Sequence, residues 1–198
     1  MRDYLRIAEE ELNRIAYVTR QTLGFFGETT GIARVKLGEL LNTAISVASR
    51  IRNKGIVVCA EVGQDLEICA VPGKIRQLIA HLLSNSFDAV DANGTVRVRL
   101  SAGKDWSTAN HGVRLVVADS GCGIPASVRS SLFEPFVTTK TDVGTGLGLW
   151  NCKKIVDKHC GSIRVKSSIL PGRSGTVFSV FLPSHQEEAA GNSVRAKI

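Results

Sequence analysis

Three stretches of this sequence carry residue types and spacings suited to holding a flat, phosphorylated ligand. The first is DSGCGIP (Asp119–Pro125), directly after an apolar run. A carboxylate at a strand end can accept a hydrogen from an exocyclic amine, and Gly121 and Gly123 let backbone come close to a ring. The second is GTGLGLW (Gly144–Trp150), with Thr145, Gly146, Leu147 and Gly148 opening a helix. Glycines at a helix N-terminus expose N–H groups and the positive end of the dipole, which suits phosphates. The spacing is neither the dinucleotide fingerprint nor a P-loop, because no strand leads directly into it and no GK[ST] follows. Before it lies FEPFVTTK (Phe133–Lys140), whose two rings can anchor one end of a flap and whose lysine can swing toward a phosphate.

The third stretch is a helix over 72–90 with two unlike faces. Ile75, Leu78, Ile79, Leu82, Ser86 and Ala89 fall on one side, and Gln77, His81, Ser84, Asn85 and Asp88 on the other. A solvated helix back usually carries Lys and Glu. This one carries an amide, an imidazole and short oxygen-bearing chains. Asn85, at the border of the apolar face, offers a carbonyl to a hard cation such as Mg²⁺. Each stretch alone also has a plain reading, as a turn, a capped helix or a wet face.

The elements that must position these residues follow from periodicity. Apolar residues between Leu5 and Phe26 recur at helical spacing, and the glycines at 24, 27 and 31 detach that helix from the rest. Such a stripe needs a partner helix, as in a bundle. A second helix runs from Leu37 to Ile51, followed by strands at about 56–62 and 67–71. Pro72 suits the first turn of the next helix. GTVRVRL at 94–100 alternates Val96, Val98 and Leu100 with arginines, the period of a sheet with one wet face. A strand ends at Asp119, helices are expected near 126–133 and 146–160, and SIRVKSS and GTVFSVFLP close the fold. The pattern predicts an α+β, two-layer sandwich with the sheet on one side. The domain boundaries read as 1–30 for the leading helix, 31–183 for the sandwich, and 184–198 for a polar tail expected to be disordered.

Composition narrows the classes. The chain has 198 residues with 43% hydrophobic and 22% charged, enough apolar content for a packed core. No run approaches the length of a membrane helix and no secretory signal opens the chain, so a cytoplasmic setting is expected. The net charge of +7 comes from scattered cations without a dense basic tract, which argues against nucleic acid. Five cysteines form no CxxC pair, so neither a disulfide framework nor a zinc site is expected, and Cys122 reads as an inert buried thiol.

Taken in order, HLLSNSFDA, DSGCGIP, FEPFVTTK, GTGLGLW and GTVFSVFLP resemble the N, G1, F, G2 and G3 boxes of bacterial sensor histidine kinases. These belong to the wider ATPase superfamily of gyrase, the Hsp90 chaperone and the MutL repair protein. The likeness covers residues 35–183, and the pairing of TTK with GTGLGL resembles the nitrogen-regulator-type subgroup. Residues 3–26, with Glu11 to Ile15 in an E-L-x-R-I pattern, resemble the second helix of that family's dimerisation hairpin.

The resemblance implies a Bergerat-type ATP-binding fold, with ATP and Mg²⁺ as ligands. Asn85 would bind the Mg²⁺ that bridges the phosphates, with Asp88 in the nucleotide-binding set. Asp119 would meet the adenine amino group, with Thr176 and a water completing its recognition. Gly121 and Gly123 would admit the base. Lys140, Gly144, Thr145, Gly146, Leu147 and Gly148 would form the lid over the phosphates. The activity implied is transfer of the γ-phosphoryl to a histidine and on to a response regulator receiver domain, by positioning and charge neutralisation. A homodimer through the helical hairpin is implied as well.

Two departures qualify this. None of the four histidines, His81, His111, His159 and His185, lies where the family keeps its phospho-accepting residue, so the accepting helix is expected before residue 1. His81 stands four residues before Asn85, where the family has Asn and its ATP-hydrolysing relatives a Glu. A neutral imidazole can hydrogen-bond a metal-bound water as the amide would, and it can also serve as a weak base. The substitute-amide role is the favoured one. Two competing functions share the fold: an anti-sigma-factor-type serine kinase and a non-catalytic nucleotide-binding module.

Overall fold

A computed structural model describes residue 4 and residues 31–51, 55–105, 110–138 and 145–184. The elements are β1 (Ala33–Lys36), α1 (Leu37–Ile51), β2 (Val57–Val62), β3 (Glu67–Ala70), α2 (Pro72–Ala89), β4 (Thr95–Lys104), β5 (His111–Asp119), α3 (Ala126–Arg129), α4 (Gly148–Lys158), β6 (Ser162–Ser168) and β7 (Gly175–Pro183). The predicted helix over 3–26 and the tail beyond Ser184 lie outside the described residues, apart from Tyr4.

The main sheet has the order β2-β4-β5-β7-β6. Alternation decides which face is inside. Val96, Val98 and Leu100 of β4, Val113, Leu115 and Val117 of β5, and Phe178, Val180 and Leu182 of β7 are all buried, while Arg97 and Arg99 point away. The helices α1, α2 and α4 cover the inner face, giving the predicted two layers.

Pairing does not follow chain order. β2 and β3 are sequence neighbours, yet β2 runs parallel to β4 and β3 pairs antiparallel with β1. A parallel pair needs a long crossover, and β3 with α2 supplies it. The strand β1 was not anticipated, because four residues with one buried position (Val35) carry too short a period to read. The helix expected over 126–133 is only the single turn of α3.

Burial on α2 also goes further than its apolar stripe. Leu83, Phe87 and His81 are buried along with Ile75, Leu78, Ile79, Leu82 and Ser86. The sheet takes one side of α2 while α1 and α4 close in on its flanks, so little of the helix remains wet. Phe87 and Leu82, at 1% and 0% exposure, anchor this core, each contributing about 1.5–3 kcal/mol by burial. The result is a rigid mount for the residues at the helix's second half.

Candidate functional site

The polar end of the sheet's inner face is a row of three directly opposed residues. Asp119 on β5 pairs with Thr176 on β7, which pairs with Ser167 on β6. Their phase is that of the buried valines, so all three turn toward the helix-covered face of the sheet. The Asp119 carboxylate takes the Gly121 N–H at 3.0 Å and the Thr176 N–H at 3.1 Å, both on Oδ1. Among the described residues both backbone donors fall on Oδ1 and none on Oδ2. Burial raises the Asp119 pKa, and the Gly121 and Thr176 amides and the nearby Ser86 hydroxyl pull it back down. Ser86 Oγ is fully buried and has no hydrogen bond of normal geometry. An unpartnered hydroxyl beside a half-committed carboxylate is a place prepared for a water or a ligand donor.

Glycines make the approach to this row possible. A Cβ at Gly121 would meet the Ala89 carbonyl oxygen at 2.4 Å, so the loop after β5 packs directly against the C-terminal end of α2. The Cys122 N–H completes that contact by donating to the Ala89 carbonyl at 3.2 Å. Gly123 has φ +77°, and a Cβ there would fall 2.0 Å from the Ser168 carbonyl. Neither position tolerates a side chain. Cys122, read from sequence as buried, is exposed, because the tight loop turns its side chain outward.

On α2, Asn85 and Asp88 are half-buried and take part in polar contacts, and Ser84 Oγ reaches Asp88 Oδ2 at 3.5 Å. His81 departs from the wet face predicted for it. It is only 8% exposed, burial lowers its pKa from 6.5 to about 4, and its ring makes no hydrogen bond among the described residues. Its neighbour is the first residue of α4: a Cβ on Gly148 would lie 3.7 Å from His81 Nδ1. The N-terminus of α4 thus packs over the middle of α2, with ordinary van der Waals room for a Cβ at Gly148. The imidazole is neutral at pH 7.

The segment entering α4 is strapped to the preceding aromatic stretch. The Phe136 N–H donates to the Gly146 carbonyl at 3.1 Å, and a Cβ at Gly146 (φ +67°) would collide with the Phe136 backbone. Thr145 Oγ1 accepts from the Leu147 N–H at 3.4 Å. Of the two rings expected to anchor a flap, Phe133 packs on the core and Phe136 is 75% exposed. Lys140 and Gly144 lie outside the described residues.

The structure therefore gathers Asp119, Gly121, Gly123 and Thr176 at one end of α2, and brings Gly148 to His81, one helical turn before Asn85. Sequence reasoning missed Ser86, placed with the apolar face, and Ser167. Both are polar residues in an apolar phase, which is the signal that could have found them. An open cleft of about 420 Å³ at the opposite end of the sheet is lined by Asp65, Glu67, Lys104 and His111 among others, and holds none of the candidate residues. Among the described residues no group of three His, Cys, Asp or Glu side chains could hold a metal. A divalent cation near Asn85 would thus rely on phosphate and water for most of its ligands, which is how Mg²⁺ usually binds with nucleotides. No helix of the described residues is long and apolar enough to cross a membrane.

A family model for the histidine kinase-, DNA gyrase B- and HSP90-like ATPases matches residues 70–186, more than half of the chain. The chain belongs to this ATPase family. Its sheet packed under helices is the fold of such domains, and within the family it is of the kind found in sensor histidine kinases. This ATPase-family chain is 31% identical over 184 residues to the signal transduction histidine-protein kinase AtoS of Escherichia coli (strain K12), covering 91% of this chain and 29% of AtoS. It is 37% identical over 122 residues to the sensory histidine kinase/phosphatase NtrB of Rhodobacter capsulatus, covering 58% of this chain and 33% of NtrB. The structure of histidine kinase ThkA, solved in complex with response regulator protein TrrA, matches with a TM-score of 0.66 and 27% identity over 91% of this chain and 50% of that one. The chain thus spans about a third of the length of the curated relatives it matches.

Proposed function

We propose that this chain is the ATP-binding catalytic domain of a two-component sensor histidine kinase of the nitrogen-regulator type. In this reading it transfers the γ-phosphoryl of ATP to a histidine carried on a helix outside residues 1–198, for relay to a response regulator receiver domain. The observation that carries it is the Asp119 carboxylate, bound at Oδ1 by two amides and flanked by the Ser86 hydroxyl, beside a loop whose Gly121 and Gly123 let it pack directly on α2 and β6. The AtoS and NtrB likenesses support a kinase over a serine kinase or a non-catalytic module on the same fold.

Each residue then has a part. Asp119 Oδ2 accepts the exocyclic amine of adenine, and Thr176 and Ser86 hold the water beside it. Gly121 and Gly123 admit the base edge. Asn85 offers its amide oxygen to Mg²⁺, with Asp88 one turn on, and the cation supplies charge neutralisation for the phosphates. The amides from Thr145 to Gly148 meet phosphate at the positive end of α4, and Lys140 and Gly144 extend that lid. His81, held neutral by burial, serves as the substitute for an amide, hydrogen-bonding a water of the metal. Its low proton affinity makes it a poor base for hydrolysis. Dimerisation would come through the hairpin to which residues 3–26 belong.

The test supplies labelled ATP, Mg²⁺ and the chain to a separately made helix bearing an acceptor histidine. Label on the histidine is the expected result. Label on serine, or none while ATP still binds, would replace the kinase reading with one of its alternatives.

A further inference from the structure

Ser167, which no motif brought out, sits at the end of the Asp119–Thr176–Ser167 row, and its hydroxyl makes three polar contacts among the described residues. Its Oγ accepts the Ile124 N–H at 2.7 Å, donates to the Gly175 carbonyl at 2.8 Å, and lies 3.0 Å from Thr176 Oγ1. A carbonyl oxygen can only accept, so the single Ser167 proton is committed to Gly175. One lone pair is committed to Ile124. What remains on Ser167 is one acceptor position, so the Thr176 hydroxyl must donate to it. Thr176 is 3% exposed, and its own N–H is already committed to Asp119 Oδ1 at 3.1 Å. Its hydroxyl therefore turns its proton away from the pocket and its lone pairs toward it.

We infer that Ser167 is a specificity-setting residue: by holding the Thr176 hydroxyl as a donor to itself, it leaves Thr176 facing the pocket beside Asp119 as an acceptor only and selects a 6-amino over a 6-oxo purine nucleotide. This rests on the nucleotide reading above. An amino group has protons for both the Asp119 carboxylate and Thr176, directly or through a water. A 6-oxo group sets a lone pair against a carboxylate and against Thr176 lone pairs, and acceptor–acceptor contacts in a buried site are strongly disfavoured. Ser167 acts through Thr176, so it is a positioning residue. The same hydroxyl ties Ile124 of the loop after Asp119 to β6 and β7, so one side chain fixes both the loop and the direction of the hydroxyl.

The experiment measures affinities for ATP and ITP, which differ only in the 6-substituent and the protonation of the adjacent ring nitrogen, in the native chain, Ser167→Ala, Thr176→Val and the double variant. The native chain should prefer ATP. Ser167→Ala frees the Thr176 hydroxyl to rotate and donate, and the ATP-to-ITP ratio should fall about tenfold. In the Thr176→Val background, Ser167→Ala should leave the ratio unchanged, since no hydroxyl remains to direct. A ratio that survives Ser167→Ala, or that falls equally in both backgrounds, overturns the inference. Should Ser167→Ala fail to fold, Thr176→Val alone decides: a retained ratio overturns it. Failure of the underlying reading looks different, with neither nucleotide binding the native chain.

Discussion

Replacing His81 by Asn should flatten the acid limb of this protein's stability. The imidazole is buried between α2 and the first turn of α4, and its pKa is lowered from 6.5 to about 4 by that burial. The unfolded chain takes up the proton near its ordinary value, whereas the folded chain resists it until about pH 4. Between those limits the unfolded state holds more protons, so stability falls as pH is lowered through the window. At about 1.4 kcal/mol per pH unit, a shift of this size removes about 3 kcal/mol between neutrality and pH 4. Asp119 acts with the opposite sign: its raised pKa means that stability falls as pH rises through the carboxylate range. That contribution is common to both proteins and cancels in the difference. Urea unfolding of the native chain and His81→Asn at half-unit steps from pH 7.5 to 4 measures the effect. The native chain should lose about 3 kcal/mol more than the variant, all of it above pH 4. Parallel curves would refute the burial argument.

Other perturbations separate site from scaffold. Asn85→Ala should leave the melting temperature within a degree or two but abolish the gain in ATP affinity on adding Mg²⁺, read by titration with and without the cation. Gly123→Ala adds a side chain where φ is +77° and the Ser168 carbonyl is 2.0 Å away; left-handed backbone alone costs about 1–2 kcal/mol, so a thermal melt should drop by at least about 2 °C. Phe87→Ala removes a ring that is 1% exposed under the sheet and should cost about 3–5 kcal/mol in denaturant unfolding.

How far the sequence could be read depended on whether a residue's role is set locally or by distant packing. Gly121 and Gly123 were legible because backbone geometry demands them, and the contacts with Ala89 and Ser168 show why. The alternation in β4 likewise declared its buried and exposed faces, and Val96, Val98 and Leu100 lie inside. His81 was misread as wet because the first turn of α4, remote in sequence, packs at its ring. The parallel pairing of β2 with β4 was invisible for a related reason. Two strands joined by a short turn look like a hairpin until the crossover is seen. Ser167 shows a middle case. In SIRVKSS it falls in the phase of Ile163 and Val165, so its inward position was readable, but its partners Ile124 and Thr176 lie on other elements.

The central claim is that a 6-amino purine triphosphate is held at its ring by Asp119. Calorimetric titration of the native chain and Asp119→Asn with ATP and with GTP tests it most directly. The account predicts at least about a tenfold preference for ATP in the native chain, lost when the carboxylate becomes an amide that can also donate. Equal affinities for the two nucleotides in the native chain, or an unchanged preference in Asp119→Asn, would contradict it.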